Sequence, residues 1–181
     1  MAEPIKTTAA ISLVGEEDAT SVLDYLERVA GETDFLTFGP GQYGRTVEDE
    51  EEHIRKLLDP TGGFIAKATV EGHIVGTAGI SRSSSPRIRH VGVFGISVRK
   101  EYWGTGIARA ICTWVLDESQ RRGLERIELR VREDNARGIG LYTSLGFAAE
   151  GRLRRSFCAA GHYYDELLMG LWLAAPPVAG T

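Results

Sequence analysis

An apolar run over residues 91–98 leads through Tyr102 and Trp103 into Gly104-Thr105-Gly106. Beyond the turn stand Ile107, Ala110, Ile111, Trp114 and Val115 at helical spacing. Strand, glycine-rich turn and amphipathic helix in that order leave few ways to fold the middle of the chain. The strand must be buried, and the helix must cross back over it. Glycine without a side chain lets a ligand approach the main chain closely. The first N–H groups of a helix have no partner within it, and the helix dipole adds partial positive charge at that end. Such a junction is suited to an anion. The lysine of a phosphate-binding GxxxxGK[ST] loop is absent, and Arg109 stands where a G-x-G-x-x-G fingerprint has its third glycine. On its own, the junction reads equally as an anion site and as a helix entry that tolerates glycine.

The 181 residues suffice for one domain with a sizeable core, expected over 1–181 with loose ends at 1–6 and 174–181. Twenty-one basic against 25 acidic side chains give a net charge of −4, which weighs against non-specific nucleic-acid binding. Cys112 and Cys158 fit neither a C-x-x-C nor a zinc pattern, so reduced thiols and no metal are expected. No apolar run is long enough to span a bilayer, and the amino terminus lacks an apolar leader; a cytoplasmic protein without a membrane partner is expected.

Along the chain, a strand is predicted over 8–14 and a helix over 19–30 closed by Gly31. The segment from Phe35 to Tyr43 is aromatic and rich in turn formers, hence a loop. Thr46 caps a helix to about Leu58, with Asp49 three residues on as an approximate capping box. Strands over 64–70 and 73–81 form a hairpin about Glu71-Gly72, and a strand over 88–98 is apolar on both faces, hence central. Residues 126–132 alternate, with Ile127, Leu129 and Val131 on a buried face and Glu128, Arg130 and Arg132 on an open one. Asp134-Asn135 opens a helix over 136–145. Strands over 147–152 and 163–173 follow, separated by a loop with Phe157, Gly161 and His162.

The run Tyr102-Trp103-Gly104-Thr105-Gly106-Ile107-Ala108 is followed, one helix and one strand later, by Asn135-Ala136-Arg137-Gly138-Ile139-Gly140-Leu141-Tyr142, closing at Leu145-Gly146-Phe147. Together and in this order, the two segments resemble the GNAT superfamily of acetyl-CoA-dependent N-acetyltransferases. The resemblance implies an α/β (α+β) fold, with a mixed, mostly antiparallel central sheet splayed at the cofactor site and helices on both faces. It implies coenzyme A pyrophosphate on Gly104, Thr105, Gly106, Ile107, Ala108 and Arg109. The pantetheine arm lies along Ile96, Ser97 and Val98 in a form of strand addition, and Asn135 lies near the coenzyme. Local backbone capping is an equally available role for Asn135.

The implied chemistry is direct attack of a primary amine on a thioester, the amine belonging to a small molecule or a protein N-terminus. The Val98 N–H would stabilise the oxyanion and Tyr142 would protonate the leaving thiolate. The family's N-terminal acetyltransferases carry a glutamate where Arg130 stands, and Arg130 cannot be a base. The base is left open among Glu128, His90, His162 and Asp165. Trp103 stands where many members have Arg or Gln, which removes one phosphate-facing side chain. The acceptor would enter between the loops at 35–43 and 157–164. There Arg154 and Arg155 favour a carboxylate, whereas the acidic run at 48–52 favours a polyamine or an aminoglycoside. A non-catalytic acyl-CoA-binding module on the same scaffold is the rival reading. A homodimer through aromatics such as Trp172 is left open.

Overall fold

A computed structural model describes residues 8–59 and 62–173. Expectations for the loose ends fall outside those residues. The apolar runs build one sheet from β1 (Ala10–Leu13), β2 (Phe64–Val70), β3 (His73–Arg82), β4 (Val91–Val98), β5 (Arg126–Arg132), β6 (Ala148–Ala159) and β7 (His162–Trp172). Its order is β1-β2-β3-β4-β5-β7-β6, so the strand apolar on both faces is central. All pairs are antiparallel except β4 with β5.

Four helices cover the two faces. Helices α1 (Ala19–Ala30) and α2 (Val47–Leu58) lie on one, closing a small core of Val14, Ala19, Val22 and Ile54 with Ile65 and Ile74 of the sheet. Helix α3 (Ile107–Arg121) lies on the other. It buries Ile107, Ile111, Cys112 and Val115 against Ala66, Ala78, Ile80, Phe94 and Leu129. Helix α4 (Ala136–Ser144) joins the same core through Ile139, Leu141 and Tyr142. The Thr46 hydroxyl accepts from the Asp49 N–H at 3.2 Å while Asp49 accepts from the Thr46 N–H at 3.1 Å, so the capping box forms.

Three boundaries depart from expectation. Strand β1 begins at Ala10. Strand β4 begins at Val91, because the segment after Pro86 is tied into turns in which Ile88 donates to the Ser85 carbonyl and Val91 to that of Ile88. The loop expected around Phe157–His162 is a hairpin: β6 runs on to Ala159, and Ala160 and Gly161 turn the chain at φ of 48° and 78°. A register shift between Leu153 and Phe157, with Arg155 at φ of 51°, lets the edge strand continue through a charged stretch. Among the described residues no helix is long and apolar enough to cross a membrane.

Candidate active site

The parallel β4–β5 pairing runs only from Val91↔Arg126 to Val93↔Glu128, whereas β3 stays paired with β4 to Gly76↔Val98. Beyond Val93 the two central strands part. The Arg99 N–H donates to the Val75 carbonyl on the β3 side. By strand alternation, the main-chain groups of Ile96 and Val98 point the other way, into the opening. The indole N–H of Trp103 donates to the Val98 carbonyl at 2.8 Å, leaving the Val98 N–H and both main-chain groups of Ile96 without a partner among the described residues. Ser97 faces β3 through its main chain. Its hydroxyl lies 2.8 Å from that of Tyr25 on α1 and 3.3 Å from that of Thr77, a buried polar link absent from the sequence reading.

At the end of β4 a short 3-10 turn, Lys100–Tyr102, delivers the chain to Gly104 and Gly106, at φ of 83° and 94°. A left-handed backbone is costly for any residue with a Cβ, which is why glycine stands at both. A Cβ placed on either would meet nothing within 4 Å, so the turn faces open space. Among the described residues the N–H groups of Gly104, Gly106, Ile107, Ala108 and Arg109 have no hydrogen-bond partner. Thr105 is the exception, its N–H and hydroxyl both reaching the Tyr102 carbonyl. A row of free donors at a helix N-terminus fits a diphosphate. Two anchors hold it. Glu32, just past α1, takes the Arg99 guanidinium at 2.6 Å and the Lys100 N–H at 2.7 Å. Arg109 donates to the Ser144 hydroxyl at 2.7 Å. The guanidinium of Arg137, on α4, lies 4.9 Å from the centre of the Trp103 ring and so brings a cation to the turn that the sequence reading did not foresee.

Asn135 caps α4, its Oδ1 accepting from the Gly138 N–H at 2.9 Å. A Cβ at Gly138 would sit 2.9 Å from the Asn135 amide, so that glycine makes room for the cap. Tyr142 packs edge-on against Phe94 at 6.2 Å and Phe147 at 6.0 Å, bringing α4 onto β4. Its hydroxyl makes no hydrogen bond among the described residues and is not among the sealed polar atoms. Burial of the ring lifts the phenol well above its usual range, with the neighbouring Cys112 adding to the rise. Burial also pushes the Cys112 thiol up to about 12, which makes it a poor nucleophile.

Of the candidate bases, Asp165 is engaged with the Arg155 N–H at 2.8 Å and with Arg152 at 2.9 Å. His90 lies in the turn before β4, where the two central strands still pair, and His162 begins β7 at the hairpin tip. Glu128 stands 3.9 Å from Arg126. Three of the five acidic residues of the α2 run are used internally. Asp49 serves the cap, Glu52 pairs with Lys56 at 2.7 Å, and the fully buried Glu50 takes Arg45 at 2.8 Å.

Arg132 is the largest departure from the sequence reading, which put it on an open strand face. Only 4% exposed, its guanidinium binds both oxygens of Asp134 and the carbonyl and carboxylate of Asp34. It also stacks over Phe35, Phe157 and, at 3.6 Å, Tyr164. One side chain thus ties the α1–α2 loop, the start of α4 and the β6–β7 hairpin together.

Residues 25–147 match the acetyltransferase (GNAT) family. The chain belongs to that family. It is 32% identical to the L-amino acid N-acetyltransferase AaaT of Escherichia coli K12 over 126 residues, 68% of this chain and 78% of that one. A GNAT acetyltransferase of Streptococcus pneumoniae superposes with a TM-score of 0.87 at 27% identity, covering 92% of this chain and 99% of that one. YncA of Salmonella typhimurium, solved with its cofactor acetyl-CoA, has the same fold with a TM-score of 0.80 at 18% identity, over 94% of this chain and 99% of that one. In the GNAT family the acyl donor is acetyl-CoA, and acetyl transfer is the chemistry of this chain.

Proposed function

We propose that the chain works as a single N-acetyltransferase domain that moves an acetyl group from acetyl-CoA to a primary amine by direct attack. The observation carrying this reading is the alignment of two sets of free main-chain groups. One is the donor row of Gly104, Gly106, Ile107, Ala108 and Arg109; the other is the exposed edge of Ile96 and Val98 where β4 leaves β5. The first suits a diphosphate, and the second suits an amide-bearing arm that adds as a strand. Asn135, which caps α4, lies near the coenzyme in this reading. The reduced thiols Cys112 and Cys158 suit a cytoplasmic setting.

Bound acetyl-CoA supplies the acetyl group as a thioester. The chain's own part is to fix and polarise. The Trp103 indole occupies the Val98 carbonyl, and the Val98 N–H, turned to the opening by strand alternation, serves as the oxyanion donor. Tyr142 holds a phenolic proton on a hydroxyl with no competing partner, and its raised pKa keeps that proton in place at any physiological pH. That proton is available to the departing sulfur.

Tyr142→Phe tests the assignment. Acetyl-CoA affinity, measured by calorimetry, is expected to stay within a factor of two, while kcat for thiol release falls by about 10²–10⁴, the range for loss of one general acid. Unchanged kcat overturns the role of Tyr142. A wild-type protein that binds acetyl-CoA but acetylates no amine supports the rival reading of a binding module, and absence of acetyl-CoA binding at millimolar concentration overturns both.

A further inference from the structure

On the face of the sheet that carries α1, the opening between β4 and β5 has a floor whose polar groups can be counted. Ser97 is committed to Tyr25 and Thr77. Arg132 is saturated by Asp34 and Asp134. Two residues before Ser97 on β4 lies Gly95, where a Cβ would meet nothing within 4 Å, so the surface above it is open. Arg130 lies on the same face, since Ile127, Leu129 and Val131 alternate into the α3 core and Arg132 meets the α1–α2 loop. Continuing the parallel register Val93↔Glu128 by two residues sets Arg130 level with Gly95, across the gap. Arg130 is exposed and makes no hydrogen bond, ion pair or ring contact among the described residues. Glu166, directly opposite Arg132 on β7, faces the same way and likewise has no partner among the described residues. The apolar side chain of Leu168, opposite Arg130, completes the floor.

An unpaired guanidinium and an unpaired carboxylate, diagonal neighbours beside an open glycine, form a surface for a small zwitterion. We infer that the acceptor carries a carboxylate next to its amine, as an α-amino acid does, and that Arg130 is the residue that receives that carboxylate. The planar fork of a guanidinium suits a carboxylate bidentately. A cation there also favours acids over uncharged analogues, which offer it no counter-charge. Three of the five acidic residues of the α2 run, which would have favoured a polycation, are committed to capping and ion pairs: Asp49, Glu50 and Glu52. The inference rests on the proposed N-acetyltransferase reading, and binding of products separates the two.

N-acetyl derivatives of alanine, methionine and phenylalanine, and the matching primary amides, are titrated into the CoA-loaded protein by calorimetry. At least one acid is expected to bind tenfold or more tightly than its amide. Arg130→Gln is expected to bring the two within twofold, and Arg130→Lys to keep part of the preference. CoA affinity in each variant reports that it is folded. Equal affinity for acids and amides in the wild type, or a preference that survives Arg130→Gln, overturns the inference. Turnover is scored apart from binding. A carboxylate preference in binding without acetylation of any amine leaves Arg130 in place and sinks the enzymatic reading. Acetylation of amines with no carboxylate preference does the reverse.

Discussion

At the scale of single residues, the chain keeps several ionisable groups dry. Burial raises the Cys112 thiol from 9.0 to about 12 and the Tyr25 phenol from 10.0 to about 12, the Ser97 hydrogen bond opposing the latter. For each group the folded pKa lies above the unfolded one, so folding favours the protonated form. That stabilisation is fully present below the ordinary value and is lost as pH rises toward the folded value. The urea midpoint should therefore stay flat from neutrality to about pH 8.5 and fall between about pH 9 and 12, as the unfolding free energy drops by up to about 1.4 kcal/mol per pH unit per group. Cys112→Ala should delay the onset of that fall toward the tyrosine range. A midpoint already falling between pH 7 and 8 would place the responsible group elsewhere. The same scale shows what sequence alone conceals. Arg132 sits in a strict alternation of apolar and charged residues and reads as solvated. Its burial depends on Asp34, Phe35, Phe157 and Tyr164, which arrive from distant parts of the chain. The Tyr25–Ser97–Thr77 link is hidden for the same reason.

Among the elements, those set by local chemistry were legible. Helix α1 ends where Gly31 stops it, α2 starts at the Thr46–Asp49 capping box, and β5 follows its alternation. Edge strand β6 was not legible beyond Arg152. It is largely exposed and bulged, so no buried period marks its course. The helix entry at Gly106 belongs to this scale too. Gly106→Ala puts a Cβ on a left-handed residue at a cost of about 1–2 kcal/mol, although no neighbour would be struck. The expected result is a modest drop in thermal midpoint together with at least tenfold weaker acetyl-CoA binding, as the donor row shifts to relieve the strain. Unaltered affinity in a destabilised protein would remove the turn from the coenzyme site.

For the molecule as a whole, the resemblance carried by two short motifs foretold the layered fold and the splayed sheet, and both are present. It could not foretell how the three walls of the opening are locked to each other, since that lock is Arg132. Hydrogen exchange offers a test on this scale. The N–H groups of Ile96 and Val98 should exchange much faster than that of Ala78, whose strand is paired on both sides, and should slow sharply when acetyl-CoA is added. Equal protection before and after addition would show that nothing docks along β4. The parting of the central strands also has a mechanical meaning. Only the rungs Val91–Arg126, Gly92–Ile127 and Val93–Glu128 fasten one half of the ladder to the other. The shared core under α3 holds the two halves together where the rungs stop, and a strand-like guest along Ile96 and Val98 would add hydrogen bonds where the ladder has none.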